Sequence, residues 1–464
     1  CDFEMDGSGI AINTTGANRS RGFVLANYDV NIPANDFAVL NKRFNFHDLY
    51  IHDIGGVLLV SRRSSSLNST PVTDNFIFQN NTITNASGQD GGCALNYVRN
   101  GLVANNRFVN AISATPFDSM TVDASSGCEN IIIQNNYGYG FMFGMKCETA
   151  TNVGPSGTEI RPSKQVLIQN NFLEEIGDPI LLVFSGSATY GIKVNGKDCL
   201  ARGNTVKART INVTTGGLTS GIVVFNTHAD DSLTLIDANY TKNCQYGIAQ
   251  SDVTRTTRKS TVNITGNRSD DAVLFGIVVE SNVTVENNRM YRSGLSAIDI
   301  QSPNNTVIRN NFAFDCASTN STYTANRVVF LQEDAATVGF FEFSGNTIID
   351  DRGASAAHYG YLLRGGVGYG SNYIFSPGYT IGLLTGITFD PYFSAIGQST
   401  QVSGTTIPAP RTITSTSIPS GTAPWATMPW NAGDRAIRSV PAVGSPKAWV
   451  CTVAGTPGTW VSEG

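Results

Sequence analysis

The sequence predicts an all-β chain: a right-handed parallel β-helix, a solenoid, followed by a small C-terminal β domain. Three observations carry this. One motif recurs along the chain, a β-branched or aliphatic run that ends in an Asn pair, as in KQVLIQNN at Lys164–Asn171. Each repeat holds two or three short alternating runs and no amphipathic stretch long enough for a helix. Charged residues make up 14% of the chain and Gly 47 of 464 residues, which suits strands and turns.

Full versions of the motif stand at Asn75–Asn81, Leu102–Asn106, Asn130–Asn136, Asn282–Asn288 and Thr306–Asn311. Weaker versions, which keep only the final Asn, stand at Cys199–Asn204, Thr234–Asn239, Thr261–Asn267 and Phe341–Asn346. The final Asn falls at 81, 106, 136, 171, 204, 239, 267, 288, 311 and 346, so the spacing drifts between 21 and 35 residues. One strand and turn per period of this length is the mark of a solenoid. Asn suits the turn because it tolerates left-handed φ and bonds its own backbone. Stacked coil on coil, its amides can form a hydrogen-bonded ladder.

In chain order, residues 1–53 form opening coils, with DLYIHD at Asp48–Asp53 in the motif position and Asp53 in the Asn slot. Ser61–Thr70 is a polar insertion between strands. From 75 to about 365 the coils run without a linker. The expected divisions are a β-helix with a substrate groove over 1–370, an extended connector with a small β region over 371–423, and over 424–464 a separate Trp-rich module for trimerisation or carbohydrate binding, in which Trp449 and Trp460 make either a core or a platform. Gln398–Gly421 is rich in Ser, Thr and Pro, and the last unit holds all four tryptophans, Trp425, Trp430, Trp449 and Trp460. Coils ending between 106 and 239 are long and must carry loops off the wall, whereas those from 267 to 311 are lean. Loops on a rigid scaffold carry binding and chemistry, so the groove is expected in the first half.

A net charge of −5 without a basic run argues against nucleic acid, and no apolar run is long enough for a membrane span. The eight cysteines show no paired spacing and read as buried thiols rather than a disulfide framework. No HxH or HExxH occurs among the four histidines, which speaks against a zinc site. No metal and no cofactor is expected.

Hydrolysis of a glycosidic bond needs two carboxyl groups, about 5–5.5 Å apart for retention or about 6.5–9.5 Å for inversion. Coils of a β-helix are spaced by about 4.8 Å, so acids on neighbouring coils reach both separations. Asp118 and Glu148 each lie 12 residues past an Asn anchor, at Asn106 and Asn136. Setting MTVD (Met120–Asp123) over MKCE (Met145–Glu148) instead places Asp123 beside Glu148. Glu174, Glu175 and Asp178 follow on the next coil. The candidate catalytic residues are therefore Asp123, Glu148, Glu174, Glu175 and Asp178, with one pKa raised by like charge. As solvated turn residues, or as ligands of a structural cation, the same acids would need no chemistry. Asp270–Asp271 and Glu333–Asp334 are rival pairs.

Tyr137 and Tyr139, in YGYGFMF, are candidates for sugar stacking, although their alternation equally suits a strand with one buried face. Lys146, Arg161, Lys164 and His228 could serve an elimination, which needs a base and a cation to neutralise a uronate. Lys146, Arg161 and His228 complete the expected substrate-binding set.

The coil pattern, together with GDRAIRSVPAVGSPKAWVCTVAGTPGTWVSEG at Gly433–Gly464, resembles bacteriophage tailspikes. The Gly-Asp-Arg, Trp-Val-Cys and Gly-Thr-Pro-Gly-Thr-Trp elements of this tail are similar to a module at tail-fibre and tailspike C-termini. The resemblance implies a homotrimeric depolymerase of the virion tail that binds and cleaves a bacterial capsule or O-antigen outside the cell. It also implies attachment to the phage baseplate or tail through an N-terminal segment preceding Cys1. It transfers no catalytic residue.

Overall fold

The computed structural model describes residues 43–53, 73–85, 92–110, 120–125, 127–149, 162–177, 189–209, 220–225, 232–251, 261–301, 304–319, 328–331, 340–352, 360, 432–436, 443–444, 446–453 and 459–463, together with the backbone of further strands. One coil shows the plan. The strand Glu129–Gln134 lies in a first sheet (I), Tyr137–Tyr139 in a second (II) and Phe143–Glu148 in a third (III). The next coil stacks on it in parallel, Ile131 beside Val166, Gly138 beside Leu173 and Met145 beside Ile192. The protein is a right-handed parallel β-helix, the hand that parallel crossovers favour.

The interior is filled from all three walls. On sheet I alternate residues point inward, so Ile131, Ile133, Val166 and Ile168 are buried while Ile132 and Leu167 are not. Phe76, Phe78, Phe108 and Phe141 are fully buried among them. The long coil between Asn136 and Asn171 does leave the wall: Ala150–Gly154 and Gly157–Arg161 form an antiparallel hairpin between sheet III and the next strand of sheet I.

The chain divides into two compact units, Cys1–Val278 with Asn282–Gly294, and Val279–Ser281 with Leu295–Gly464. The first contains the coils just described. The second has parallel coils of its own, in which Thr306–Arg309 pairs with Phe341–Ser344 and that strand with Tyr373–Ser376. It also holds a four-stranded sheet, Thr412–Ser415, Arg435–Arg438, Ala448–Val453 and Thr459–Glu463. There Trp449 and Trp460 pack with Ala436 and Cys451 in a buried core, so these two rings are not a surface platform. The Gly-Asp-Arg element has a structural role: Gly433 takes φ +93°, Asp434 is buried, and Arg435 pairs with Glu463.

The two residues of the Asn pair have different duties. The first takes left-handed φ at the corner: Asn80, Asn105, Asn135 and Asn170 lie at 53–57°. In the weaker motifs Gly203, Gly266 and Gly345 supply the same φ, as does Ala238 at 53°. The second Asn is the ladder. Asn171 donates its backbone N–H to Asn204 Oδ1 at 3.0 Å. Its Nδ2 donates to the same oxygen at 2.9 Å and to the Ile133 carbonyl at 3.0 Å. This pattern links Asn81, Asn106, Asn136, Asn171, Asn204, Asn239, Asn267 and Asn288 in the first unit, and Asn311 with Asn346 in the second.

The ladder corrects one expectation. Tyr50 pairs with Thr82 and His52 with Thr84, which places Leu49, not Asp53, level with Asn81. Leu49 can offer only its backbone N–H, which bonds Asn81 Oδ1 at 3.0 Å. Asp53 occupies the corner after sheet II and accepts a bond from Asn85 Nδ2 at 2.8 Å.

Asn171→Ala strands buried groups on both neighbouring coils and is expected to cost about 2–4 kcal/mol, read as a lower midpoint in chemical or thermal unfolding. Asn105→Ala, at an exposed corner, is the control and is expected to cost no more than about 1 kcal/mol, through its φ.

Candidate functional site

Sheet III carries a second repeat: Phe143-Gly144-Met145, Tyr190-Gly191-Ile192, Tyr246-Gly247-Ile248 and Phe275-Gly276-Ile277, with Ser220 in place of the ring at Ser220-Gly221-Ile222. The glycine is required by close approach. A Cβ on Gly144 would lie 2.0 Å from the Gly191 carbonyl oxygen, and one on Gly191 would lie 2.7 Å from that of Gly221. With the glycine and the next residue both turned to the core, the ring before them stays on the outer face, and so does the third residue after it.

That face gathers charge. Asp123 lies beside Lys146 and Lys146 beside Lys193 on successive coils, while Ser125 lies beside Glu148 and Glu148 beside Asn195. The expected alignment of Met120 over Met145 is two residues out of register. Met120 pairs with Phe143, because the aromatic-Gly pair rather than the Met sets the strand, and Asp123 and Glu148 become diagonal neighbours.

Lys146 Nζ stands between the two acids, 3.0 Å from Asp123 Oδ2 and 3.1 Å from Glu148 Oε2. Lys193 Nζ also contacts Glu148, and the Ser125 hydroxyl donates to Asp123. These charges are largely withdrawn from solvent: side-chain exposure is 8% for Asp123, 17% for Lys146, 18% for Lys193 and 26% for Glu148. Beside them Met120, Met142, Phe143, Tyr190 and Val223 form a buried apolar cluster, with Phe225 and Ala249 packed against it. Lys193 Nζ lies 5.3 Å from the Phe225 ring centre and 5.8 Å from that of Tyr190.

The electrostatics run opposite to the expectation for a carboxylate pair. Burial works to raise the Glu148 pKa, but the Lys146 and Lys193 ammoniums and their hydrogen bonds outweigh it and hold the carboxyl below its ordinary value. Burial likewise opposes charge on Lys146, yet Asp123, Tyr190 and Glu148 keep its pKa raised. The intervening cations, which strand spacing alone does not reveal, replace like-charge repulsion with an alternating network.

The other predicted residues divide as follows. Glu174 lies on sheet II, beside Tyr139. Its Oε1 is 2.8 Å from Lys207 Nζ, and its Oε2 accepts the Tyr137 hydroxyl at 3.3 Å. Burial, then the Glu174 charge, raises the Tyr137 pKa. The Tyr137 ring stacks on Phe172, with centres 6.0 Å apart and planes 13° apart, so it serves a ladder along the coils. Glu175 has φ +52° and occupies the corner slot filled by Asp53, Asn85, Asn243, Asp271 and Asp315 on other coils. Its Oε2 lies 3.7 Å from Arg209 Nε. Glu174 and Glu175 thus belong to sheet II and its corner, not to the Asp123–Glu148 face. Arg161 ends the hairpin, where only backbone is described, and Asp118, Asp178, His228 and Glu333–Asp334 lie outside the described residues. In the rival pair, Arg268 grips Asp270 and Arg292 grips Asp271.

Lys193 and Tyr190 were not expected. The recurrence FGMK and YGIK, at Phe143–Lys146 and Tyr190–Lys193, carries both the register and the lysine pair. Among the described residues, no group of three or more His, Cys, Asp or Glu is placed to hold a metal ion.

No protein-family model matches the chain, and no curated protein matches it. Solved structures similar to it include the following three. PfbA, a surface adhesin of Streptococcus pneumoniae, is 15% identical over 71% of this chain and 78% of its own, with a TM-score of 0.45. The catalytic unit of an alpha-1,3-glucanase from Streptomyces thermodiastaticus is 12% identical over 74% of this chain and 61% of its own, with a TM-score of 0.46. The tailspike protein of E. coli bacteriophage HK620, in complex with a pentasaccharide, is 12% identical over 72% of this chain and 61% of its own, with a TM-score of 0.41. Values this low carry no statement about function.

Glu148 also gives a pH signature. Its folded pKa is depressed below the ordinary 4.5, so the stability it contributes is complete above that value and is lost as pH falls through the folded one. Between about pH 5 and pH 3, unfolding midpoints are expected to fall more steeply for the wild type than for Glu148→Gln. Parallel curves would contradict the Lys146–Glu148–Lys193 network.

Proposed function

We propose that this chain is a polysaccharide depolymerase of the phage-tailspike kind, an endo-glycosidase that binds and cuts a bacterial capsule or O-antigen, with Asp123 and Glu148 as its paired carboxylates. The observation that carries the proposal is the sharing of one ammonium, Lys146, by two acids on adjacent coils. Their bridging oxygens can be no farther apart than the sum of the two contact distances, which suits the closer, retaining arrangement.

Glu148, held ionised by two lysines, is the nucleophile. Asp123 is the acid. It shares the Lys146 ammonium with Glu148 and stands on the adjacent coil, where it can protonate the leaving glycosidic oxygen. Phe225, only partly buried beside the charges, gives the apolar face of a sugar ring something to pack on. Assembly as a homotrimer and attachment to a phage tail belong to the same proposal and rest on the resemblance of the Gly433–Gly464 tail.

A second reading, β-elimination, has one observation in its favour. Lys146 and Lys193 are register neighbours and could together neutralise a uronate, with Tyr190 near enough to act as base.

Incubation with a panel of capsules and lipopolysaccharides, with products identified by mass spectrometry, decides among these readings. Hydrolysis gives new saturated reducing ends, elimination an unsaturated uronate, and a binding-only fibre no fragments. Asp123→Asn and Glu148→Gln are each expected to slow cleavage by about 10²–10⁴-fold while the polysaccharide still binds. Glu174→Gln and Glu175→Gln are expected to stay within about tenfold of the wild type, because the proposed chemistry does not use sheet II.

A further inference from the structure

The seven described cysteines are buried thiols outside any disulfide, and two of them are in contact. Cys147 Sγ and Cys199 Sγ are 3.4 Å apart. Cys147 lies on sheet III between Lys146 and Glu148, its side chain turned inward while theirs face out. Cys199 immediately precedes Leu200–Arg202, a sheet I strand that begins a later coil. Space for both sulfurs comes from Gly196: a Cβ there would lie 2.6 Å from Cys147 Sγ and 2.7 Å from Cys199 Sγ.

We infer that Cys147 and Cys199 are a modification site, a thiol pair set to be oxidised to a disulfide that fastens the strand bearing Lys146 and Glu148. A disulfide needs sulfurs about 2.05 Å apart, so closure brings two sulfurs already in contact at 3.4 Å together beside Gly196. The inference is independent of the proposed carbohydrate chemistry, since it concerns the inner side of the strand.

Hydrogen peroxide is an oxidant small and neutral enough for a buried site. One sulfur attacks a peroxide oxygen; the O–O bond breaks, and a sulfenic acid and one water form. The second sulfur attacks the sulfenic sulfur; the S–O bond breaks, the S–S bond forms and a second water leaves. Two thiols and one peroxide give one disulfide and two waters. Its bond to Cys199, and then burial, raise the Cys147 pKa, so the reaction is slow and the exposure must be prolonged. A cross-link spanning 52 residues constrains the unfolded chain and raises the thermal midpoint.

The test treats the full native chain with peroxide, unfolds it, alkylates the remaining thiols and maps the peptides by mass spectrometry without reduction. The expected result is one linked peptide pair, joining Cys147 to Cys199, with the other thiols alkylated. The oxidised protein melts at a higher temperature, and the gain disappears on reduction. Gly196→Ala, which fills the space both sulfurs use, is expected to abolish the link. Recovery of both cysteines alkylated or as sulfinic acid, or linkage to other partners, would overturn the inference in the wild-type protein alone. A link that persists in Gly196→Ala would overturn the role given to Gly196.

Discussion

A hydrogen bond passed from coil to coil, through the second Asn of each pair, is the constraint on which the rest of this protein depends. Each coil must turn sharply out of sheet I, and the turn buries a backbone N–H away from its own strand. The ladder Asn bonds its N–H to the next Asn and spends its two amide hydrogens on that Asn and on a carbonyl behind it. Buried polar groups are tolerated only when satisfied, and here every rung satisfies its neighbour. The ladder fixes the phase of each coil, whatever its length. That is why spacings as unlike as 21 and 35 residues produce coils in register.

Once phase is fixed, the outer faces follow. On sheet III the close-packed glycines hold adjacent strands so that Asp123, Lys146 and Lys193 form one column with Glu148 in the next. Four charges so little exposed would be costly unless paired. The network answers this by alternation, each carboxylate touching an ammonium. Sheet II resolves its charges otherwise. Its aromatic rings and cations stack along the coils, as with Lys207 over Phe172 and Arg268 over Tyr240 and Tyr291, and its acids are held by neighbouring bases.

The fold was legible because the ladder Asn recurs unreplaced from Asn81 to Asn288: Gly or Ala can take the corner, but the ladder position needs one oxygen that accepts two bonds and an NH₂ that donates two. Leu49 escaped notice for the complementary reason, since a coil at the start of the described ladder can rely on its backbone N–H alone. The grouping of the candidate residues was legible in part. Asp123, Lys146 and Glu148 stood out as charges on a wall poor in charge. Their exact register did not, because two methionines suggested one alignment while the Gly column dictated another. The place of Glu175 was not legible, because only its φ puts it in the corner slot with Asp53 and Asp271. Cation placement between acids is a matter of side-chain reach, and spacing along the chain does not encode it.

The central claim is that saccharide is handled on the outer face of sheet III, at the shared lysine. Hydrogen-exchange mass spectrometry of the full chain, with and without an oligosaccharide from a polysaccharide it binds, addresses this directly. The account predicts slowed exchange in Phe143–Glu148 and Thr189–Asn195. Protection confined to Phe172–Ile176 and Thr205–Ala208 on sheet II, or to the Trp449–Trp460 sheet, would contradict it.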